Sequence, residues 1–316
     1  MASLRVASFG CLLVAASALP AAAQTAPPSI EQVLDTVTAA ETFRGVALSP
    51  DGARVTWVEA VRDKDGRPTQ AGAVFMAGLA PAGGDAGSSP RQVTARAANT
   101  AANLQIAESD PAWSPDGRRL AFISDAVGGE EQVYIADVAG SSQTEPKPRQ
   151  VTRLHGHLSS LRFSPDGRSV AFLFIEGRKG PAGPLQATAR DAGVVGEHPE
   201  EQRLAVADLT SGDVRTLSPA DLYVYEYDWA PDGRSFAATA AHGSGDDNWY
   251  VAELFTLNRE SGEMRSLWKP PIDVQIAVPR VSPDGRSIAL IGGIMSDEGA
   301  TGGDVYLVPS SGGEAR

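Results

Sequence analysis

The chain has 316 residues, 42% of them hydrophobic, with 33 glycines, 22 prolines, a single cysteine and a formal net charge of −12. Without clustered Lys and Arg this acidic balance argues against a phosphate-backbone binder, so no nucleic-acid partner is expected, and one cysteine excludes an internal disulfide framework. Gly and Pro stand above their usual share with no collagen-like period, which favours a turn-rich, all-β fold.

The first segment, "MASLRVASFGCLLVAASALPAAAQ", has one basic residue, Arg5, an apolar run from Val6 to Leu19 and small residues suited to cleavage after Ala23. It reads as a secretory signal peptide over residues 1–23, which gives a periplasmic or secreted location. The run is shorter than the roughly 20 residues of a spanning helix and lacks a basic stop flank, so no membrane attachment is expected after cleavage. Cys11 lies inside this leader, and Phe9 and Gly10 make a poor lipobox. The mature chain would then have no thiol, disulfide or thiolate metal site.

A short helical segment follows, within residues 24–42. In "SIEQVLDTVTAA" (29–40), Ile30, Val33, Leu34 and Val37 recur at helical spacing. Ser29 and Gln32 form an S-x-x-Q capping box, and Pro28 bars helix upstream.

Residues 43–316 are organised by a repeat. Five copies, "LSPDGARVTWVE", "WSPDGRRLAFIS", "FSPDGRSVAFLF", "WAPDGRSFAATA" and "VSPDGRSIALIG", place aspartates at Asp51, Asp116, Asp166, Asp232 and Asp284. In Ser-Pro-Asp-Gly the hydroxyl bonds back to the chain, Pro presets φ and Gly suits the last position, so each copy predicts a hairpin corner. Each corner leads into a run that is apolar on both faces, such as Leu120–Ile123 or Val170–Leu173, which requires cover on both sides. A third strand ("QVYIADV", 132–138; "RLAVADL", 203–209) and a short fourth ("RQVTR", 149–153) complete the unit. Four antiparallel strands per repeat, sandwiched between like units, predict an all-β, β-propeller fold with about five four-stranded blades; an open solenoid, with shorter repeats and parallel strands, is the weaker reading. In the fifth copy "DVYLVPS" (304–310) is the third strand, and Arg316 falls where other copies begin the fourth. That blade is expected to be incomplete and to continue in a longer parent chain, and the unpaired edge to favour aggregation of the isolated chain.

The spacing between copies varies, and the excess falls in "PAGGDAGSSP" (81–90), an Ala/Asn-rich stretch (95–107) and Glu176 to Gln202. These read as surface loops, the places where a rigid scaffold carries binding residues.

The sequence contains no Gly-x-Ser-x-Gly nucleophile elbow; the nearest string, "HGSGDD" (242–247), has His242 at the first glycine position. The four histidines are His155, His157, His198 and His242, and none lies in a context that supplies a catalytic partner. His155 and His157, on alternate positions, lack a third ligand for zinc. "GSGDDNWY" (243–250) places Asp246, Asp247 and Asn248 beside Trp249 and Tyr250; without the spacing of a calcium loop, this is either a solvated turn or a grip for a substrate amine. Asp247, Asn248 and Trp249 are the candidate substrate-binding residues. The repeated Asp of the five corners cannot converge on one reacting atom, and Arg118, Arg168, Arg234 and Arg286 read as solvated strand starts. No catalytic residue, metal site or cofactor is assigned.

"PAWSPDGRRLAFISD" and "LRFSPDGRSVAFLF" resemble the Pro-Asp propeller repeats of TolB-like periplasmic proteins and of the prolyl oligopeptidase family of serine peptidases. "GEHPEEQRLAVADLTSGDVRTL" (196–217), "GSGDDNWYVAELFTLN" (243–258) and "GGIMSDEGATGGDVYLVPSSGGEAR" (292–316) resemble the dipeptidyl and acylaminoacyl peptidase branch, and the likeness runs over about residues 29–316. It implies a propeller that caps a C-terminal α/β-hydrolase domain, which carries the catalytic Ser, Asp and His and acts on short peptides; the N-terminal helix would pack against that domain. The present chain would gate substrates and not be catalytic alone. The alternative is a TolB-like module that binds protein partners; a propeller glycosidase would need two carboxylates across a central pocket.

Overall fold

The computed structural model describes residues 29–38, 43–79, 87, 89–94, 106–139, 147–177, 201–243, 246–295 and 301–316. The proposed leader, residues 80–86 and 88 of the first insertion, and the stretches 95–105 and 178–200 lie outside these. The chain divides into two compact units, Met1–Ala40 and Glu41–Arg316. In the first, helix α1 (Ile30–Thr38) begins one residue after Ser29, whose carbonyl accepts the Val33 N–H at 2.9 Å. Ile30, Val33 and Val37 are exposed. Among the described residues no helix is long and apolar enough to cross a membrane.

The second unit is five antiparallel sheets in chain order. Sheet 1 holds β1 (Phe43–Leu48), β2 (Arg54–Arg62), β3 (Pro68–Gly78) and β4 (Arg91–Gln92). Sheet 2 holds β5 (Glu108–Trp113), β6 (Arg119–Ser124), β7 (Gln132–Asp137) and β8 (Arg149–Gln150). Sheet 3 holds β9 (Gly156–Phe163), β10 (Ser169–Glu176), β11 (Arg203–Asp208) and β12 (Val214–Thr216). Sheet 4 holds β13 (Leu222–Trp229), β14 (Ser235–His242), β15 (Glu253–Asn258) and β16 (Met264–Trp268). Sheet 5 has three strands, β17 (Gln275–Val281), β18 (Ser287–Met295) and β19 (Thr301–Pro309). Past β19 the chain turns back, and Arg316 exchanges both backbone hydrogen bonds with Leu307. The architecture is a β-propeller, and its blades are the units that the repeat marks.

Each repeated phrase is the corner between the first and second strands of its sheet. In the first copy the Gly52 N–H donates to the Ser49 carbonyl at 2.8 Å, while Ser49 Oγ donates to Asp51 Oδ1 at 2.5 Å and accepts from the Arg54 N–H at 2.9 Å. The glycine is required, because it stands at φ of +67 to +70° in all five copies, a region costly for other residues. A Cβ on Gly117, Gly167, Gly233 or Gly285 would touch the proline of the preceding corner, so the corners stack one on the next.

Apolar clusters join neighbouring sheets in sequence. Val58, Val74 and Met76 meet Leu120 and Phe122; Ile123 and Val133 meet Phe163 and Phe172; Leu173 and Leu204 meet Tyr227 and Phe236; Leu254 and Leu267 meet Ile288 and Leu290. The second strands β6, β10 and β14 are therefore buried on both faces, whereas β2 and β18 are buried on one. The outer face of sheet 1 carries Trp57 in ring contact with both Phe43 and Phe75, and that of sheet 5 carries Ile291, Val305 and Leu307. Phe43 and Val305 remain 53% and 69% exposed, so among the described residues both outer faces present exposed apolar side chains.

Candidate functional site

The first strand of each blade borders the central channel of a propeller. Two positions on these strands, counted back from the corner, recur as a set. Four residues back stand Gly45, Asp110, Ser160, Glu226 and Val278; two residues back stand Ala47, Ala112, Arg162, Asp228 and Arg280. Every first strand has a register shift here. The shift leaves Gly45, Asp110, Ser160 and Val278 at φ of +48 to +58°, which for β-branched Val278 is strained backbone.

Carboxylates of this set hold the displaced backbone of the following blade. Asp110 Oδ2 accepts the Ser160 N–H at 2.6 Å, Glu226 accepts the Val278 N–H, and Asp228 Oδ2 accepts the Val281 N–H at 2.9 Å. Tyr227, buried between sheets 3 and 4, donates its hydroxyl to the Ser160 carbonyl at 2.5 Å. Arg162 lies over the Tyr227 ring, 5.9 Å from its centre, with Nη1 3.8 Å from Asp228 Oδ1. Upstream, Glu131 Oε2 takes both the Leu158 N–H at 2.7 Å and His157 Nδ1 at 2.8 Å.

Burial and neighbouring charge perturb these groups. Burial raises the Asp110 carboxyl above its ordinary value, outweighing the Ser160 amide and the charges of His157 and Arg162. Burial, and then the charge of Arg162, lowers the Arg280 guanidinium. Burial pushes the Tyr227 phenol well up, keeping it a neutral donor. The result is a band of alternating charge along the first strands of blades 2 to 5, able to orient the polar ends of a ligand through charge and hydrogen bonds.

The band contains no nucleophile with a base. His155 pairs with Glu130 at 3.0 Å, His157 with Glu131, and His242 with Asp221 at 3.4 Å, so these three imidazoles face carboxylates and not hydroxyls. Among the described residues no group of His, Cys, Asp and Glu could hold a metal ion.

The three residues expected to bind substrate lie elsewhere, in a 3-10 turn over Asp246–Val251. The side chain of Asp247 lies outside the described residues. Asn248 Nδ2 donates to the His242 carbonyl at 3.1 Å, closing its own loop. Trp249 is half-buried, and its carbonyl accepts the Ala252 N–H at 3.1 Å. Sequence reasoning passed over Asp110, Arg162, Glu226, Asp228 and Arg280 because they sit on strands and not in insertions. Their signal is charge at a fixed offset from each corner, where the first copy has only Gly and Ala.

No protein-family profile matches the chain. It is 26% identical over 201 residues to an uncharacterized peptidase, YuxL, of Bacillus subtilis, and 26% identical over 151 residues to dipeptidyl-peptidase 5 of Porphyromonas gingivalis. These matches cover 63% and 45% of the chain but 24% and 19% of the relatives, so the chain spans about a quarter or less of the curated relatives it matches. In fold it is similar to a putative TolB of Agrobacterium tumefaciens, with a TM-score of 0.55 at 17% identity over 87% of this chain and 80% of that one. It is similar to the same degree to an acylaminoacyl peptidase of Pyrococcus horikoshii, with a TM-score of 0.54 at 15% identity over 86% of this chain and 39% of that one. The chain is a β-propeller built of Pro-Asp repeats whose sequence relatives include proteins named as peptidases.

Proposed function

We propose that the chain is the propeller part of a secreted serine peptidase that hydrolyses short peptides, and that it gates and orients substrates without being catalytic itself. The observation that carries this reading is the identity to YuxL along 201 residues, reinforced by that to dipeptidyl-peptidase 5. The charged band on the first strands fits the gating role, since it offers donors and acceptors to both ends of a short peptide. The leader over residues 1–23 supports export. The exposed apolar side chains on the outer faces of sheets 1 and 5 support further sheets in the parent, and an α/β-hydrolase domain in that parent would supply Ser, Asp and His.

The test is to sequence the source locus past the codon for Arg316 and to assay the complete product beside residues 24–316 on dipeptidyl and N-acylaminoacyl chromogenic substrates. An in-frame Gly-x-Ser-x-Gly, with hydrolysis by the long product and none by residues 24–316, is expected. A stop codon at that point would overturn the reading in favour of a module that binds protein partners, the alternative to which the TolB likeness in fold points.

A further inference from the structure

Three blade interfaces share one device, and the fourth lacks it. Between sheets 1 and 2, Arg54 lies over the Trp113 ring, 4.7 Å from its centre, and donates from Nη2 to the Gly117 carbonyl at 2.6 Å. Between sheets 2 and 3, Arg119 lies 5.7 Å from the centre of the Phe163 ring and donates to the Gly167 carbonyl at 2.7 Å. Both arginines open the second strand of their blade. Between sheets 3 and 4 that position is Ser169, and the guanidinium comes from the other side. Arg259, just past β15, lies over the Trp229 ring at 5.3 Å and donates to the Gly233 carbonyl at 3.3 Å and to Ser169 Oγ at 2.7 Å.

Between sheets 4 and 5 both possible sources are serine. Ser235 opens the second strand, and Ser310 stands where Arg259 stands, as its N–H donates to the Arg286 carbonyl just as the Arg259 N–H donates to that of Arg234. Val281 takes the place of the aromatic ring, and Ser310 Oγ is buried with no hydrogen-bond partner. We infer that sheet 5 is a blade built to open: it swings from sheet 4 as one unit while sheets 1 to 4 stay latched by their arginines. Its ties to sheet 4 lie away from the corner: the bonds from Glu226 and Asp228 to the Val278 and Val281 amides, the Gly313 N–H to the Leu267 carbonyl at 3.2 Å, Arg265 Nη1 to the Ser311 carbonyl at 3.4 Å, the stacked Trp268 and Tyr306 rings, and the Leu254, Ile288 and Leu290 cluster. The cation–π contact and the guanidinium bond to the glycine carbonyl at a corner are each sizeable beside a sub-global opening free energy, so their lack at this one corner favours sheet 5 as the blade that opens first.

Hydrogen exchange on the whole chain tests this, because it reads each blade separately. Amides of β17, β18 and β19 are expected to exchange together and at least tenfold faster than those of β6, β10 and β14. A Ser235→Arg, Val281→Trp variant, which installs the missing guanidinium and ring, is expected to slow exchange in sheet 5 about tenfold and leave β6 and β10 unchanged. Arg119→Ser, made separately, is expected to let sheets 2 and 3 part in the same way. Sheet 5 also has exposed apolar side chains on its outer face, so fast exchange alone does not decide. If the double variant keeps β6 and β10 protected yet leaves sheet 5 as fast as before, or if sheet 5 exchanges only with global unfolding, the inference fails. Neither result depends on whether the parent is a peptidase.

Discussion

Arg259 lies over Trp229 from within the same blade as the ring, whereas Arg54 reaches Trp113 from the preceding blade. The chain thus conserves the location of a cation while changing the strand that carries it. The guanidinium needs only a ring beneath it and a glycine carbonyl beside it, and stacked corners offer both to either neighbour.

Replacing Arg259 with Ala is expected to cost about 1–3 kcal/mol, the sum of a partly desolvated cation–π contact and charge-assisted hydrogen bonds. Adding Ser169→Arg to Arg259→Leu, the combination that sheets 2 and 3 use, is expected to recover most of the loss in urea denaturation. Failure of that rescue with the single variant still destabilised would show that the two sides are not equivalent.

Four of the five corners place a serine hydroxyl on the corner aspartate, and the corner of sheet 4 has Ala230 instead. Ala230→Ser is expected to stabilise the protein by about 0.5–1.5 kcal/mol at neutral pH. The hydroxyl bonds hold the Asp51, Asp116, Asp166 and Asp284 carboxyls below their ordinary range. Stability from a lowered carboxyl is present above about pH 4 and is lost as pH falls through the folded value. The gain from Ala230→Ser should therefore shrink in acid, as thermal melts at pH 7 and pH 3 would reveal.

Asp110 has the opposite sign. With its folded value raised by burial, the folded state keeps a proton that the unfolded state has released, so this group's contribution falls as pH rises from about 4 through the folded value. Asp110→Asn keeps an acceptor for the Ser160 amide and removes the titration. The stability of the natural protein relative to this variant should decline over that window in urea midpoints, and a flat difference would contradict the assignment.

Thr239 is buried on β14, opposite Glu226, and its hydroxyl has no partner. Thr239→Val keeps the shape and removes the unpaired polar atom, so it is expected to be neutral or to stabilise by up to about 1 kcal/mol. A loss of 1 kcal/mol or more on calorimetry would mean that the hydroxyl is satisfied.

The sequence by itself determined the class of fold, the corners and the strand order within each blade. These depend on local chemistry: a Ser-Pro-Asp-Gly corner closes on itself, and a run apolar on both faces, such as Val170–Leu173, must lie between two neighbours. What only the tertiary structure decided is which side chains meet across blades. Arg162 meets Asp228 over 66 positions of chain, and Arg259 reaches Ser169 over 90, because a propeller sets equal offsets of successive repeats side by side. Asn248 drew attention in the sequence by its acidic and aromatic neighbours, and only the tertiary structure shows that its amide donates to the His242 carbonyl six residues away, because that contact depends on how the loop closes.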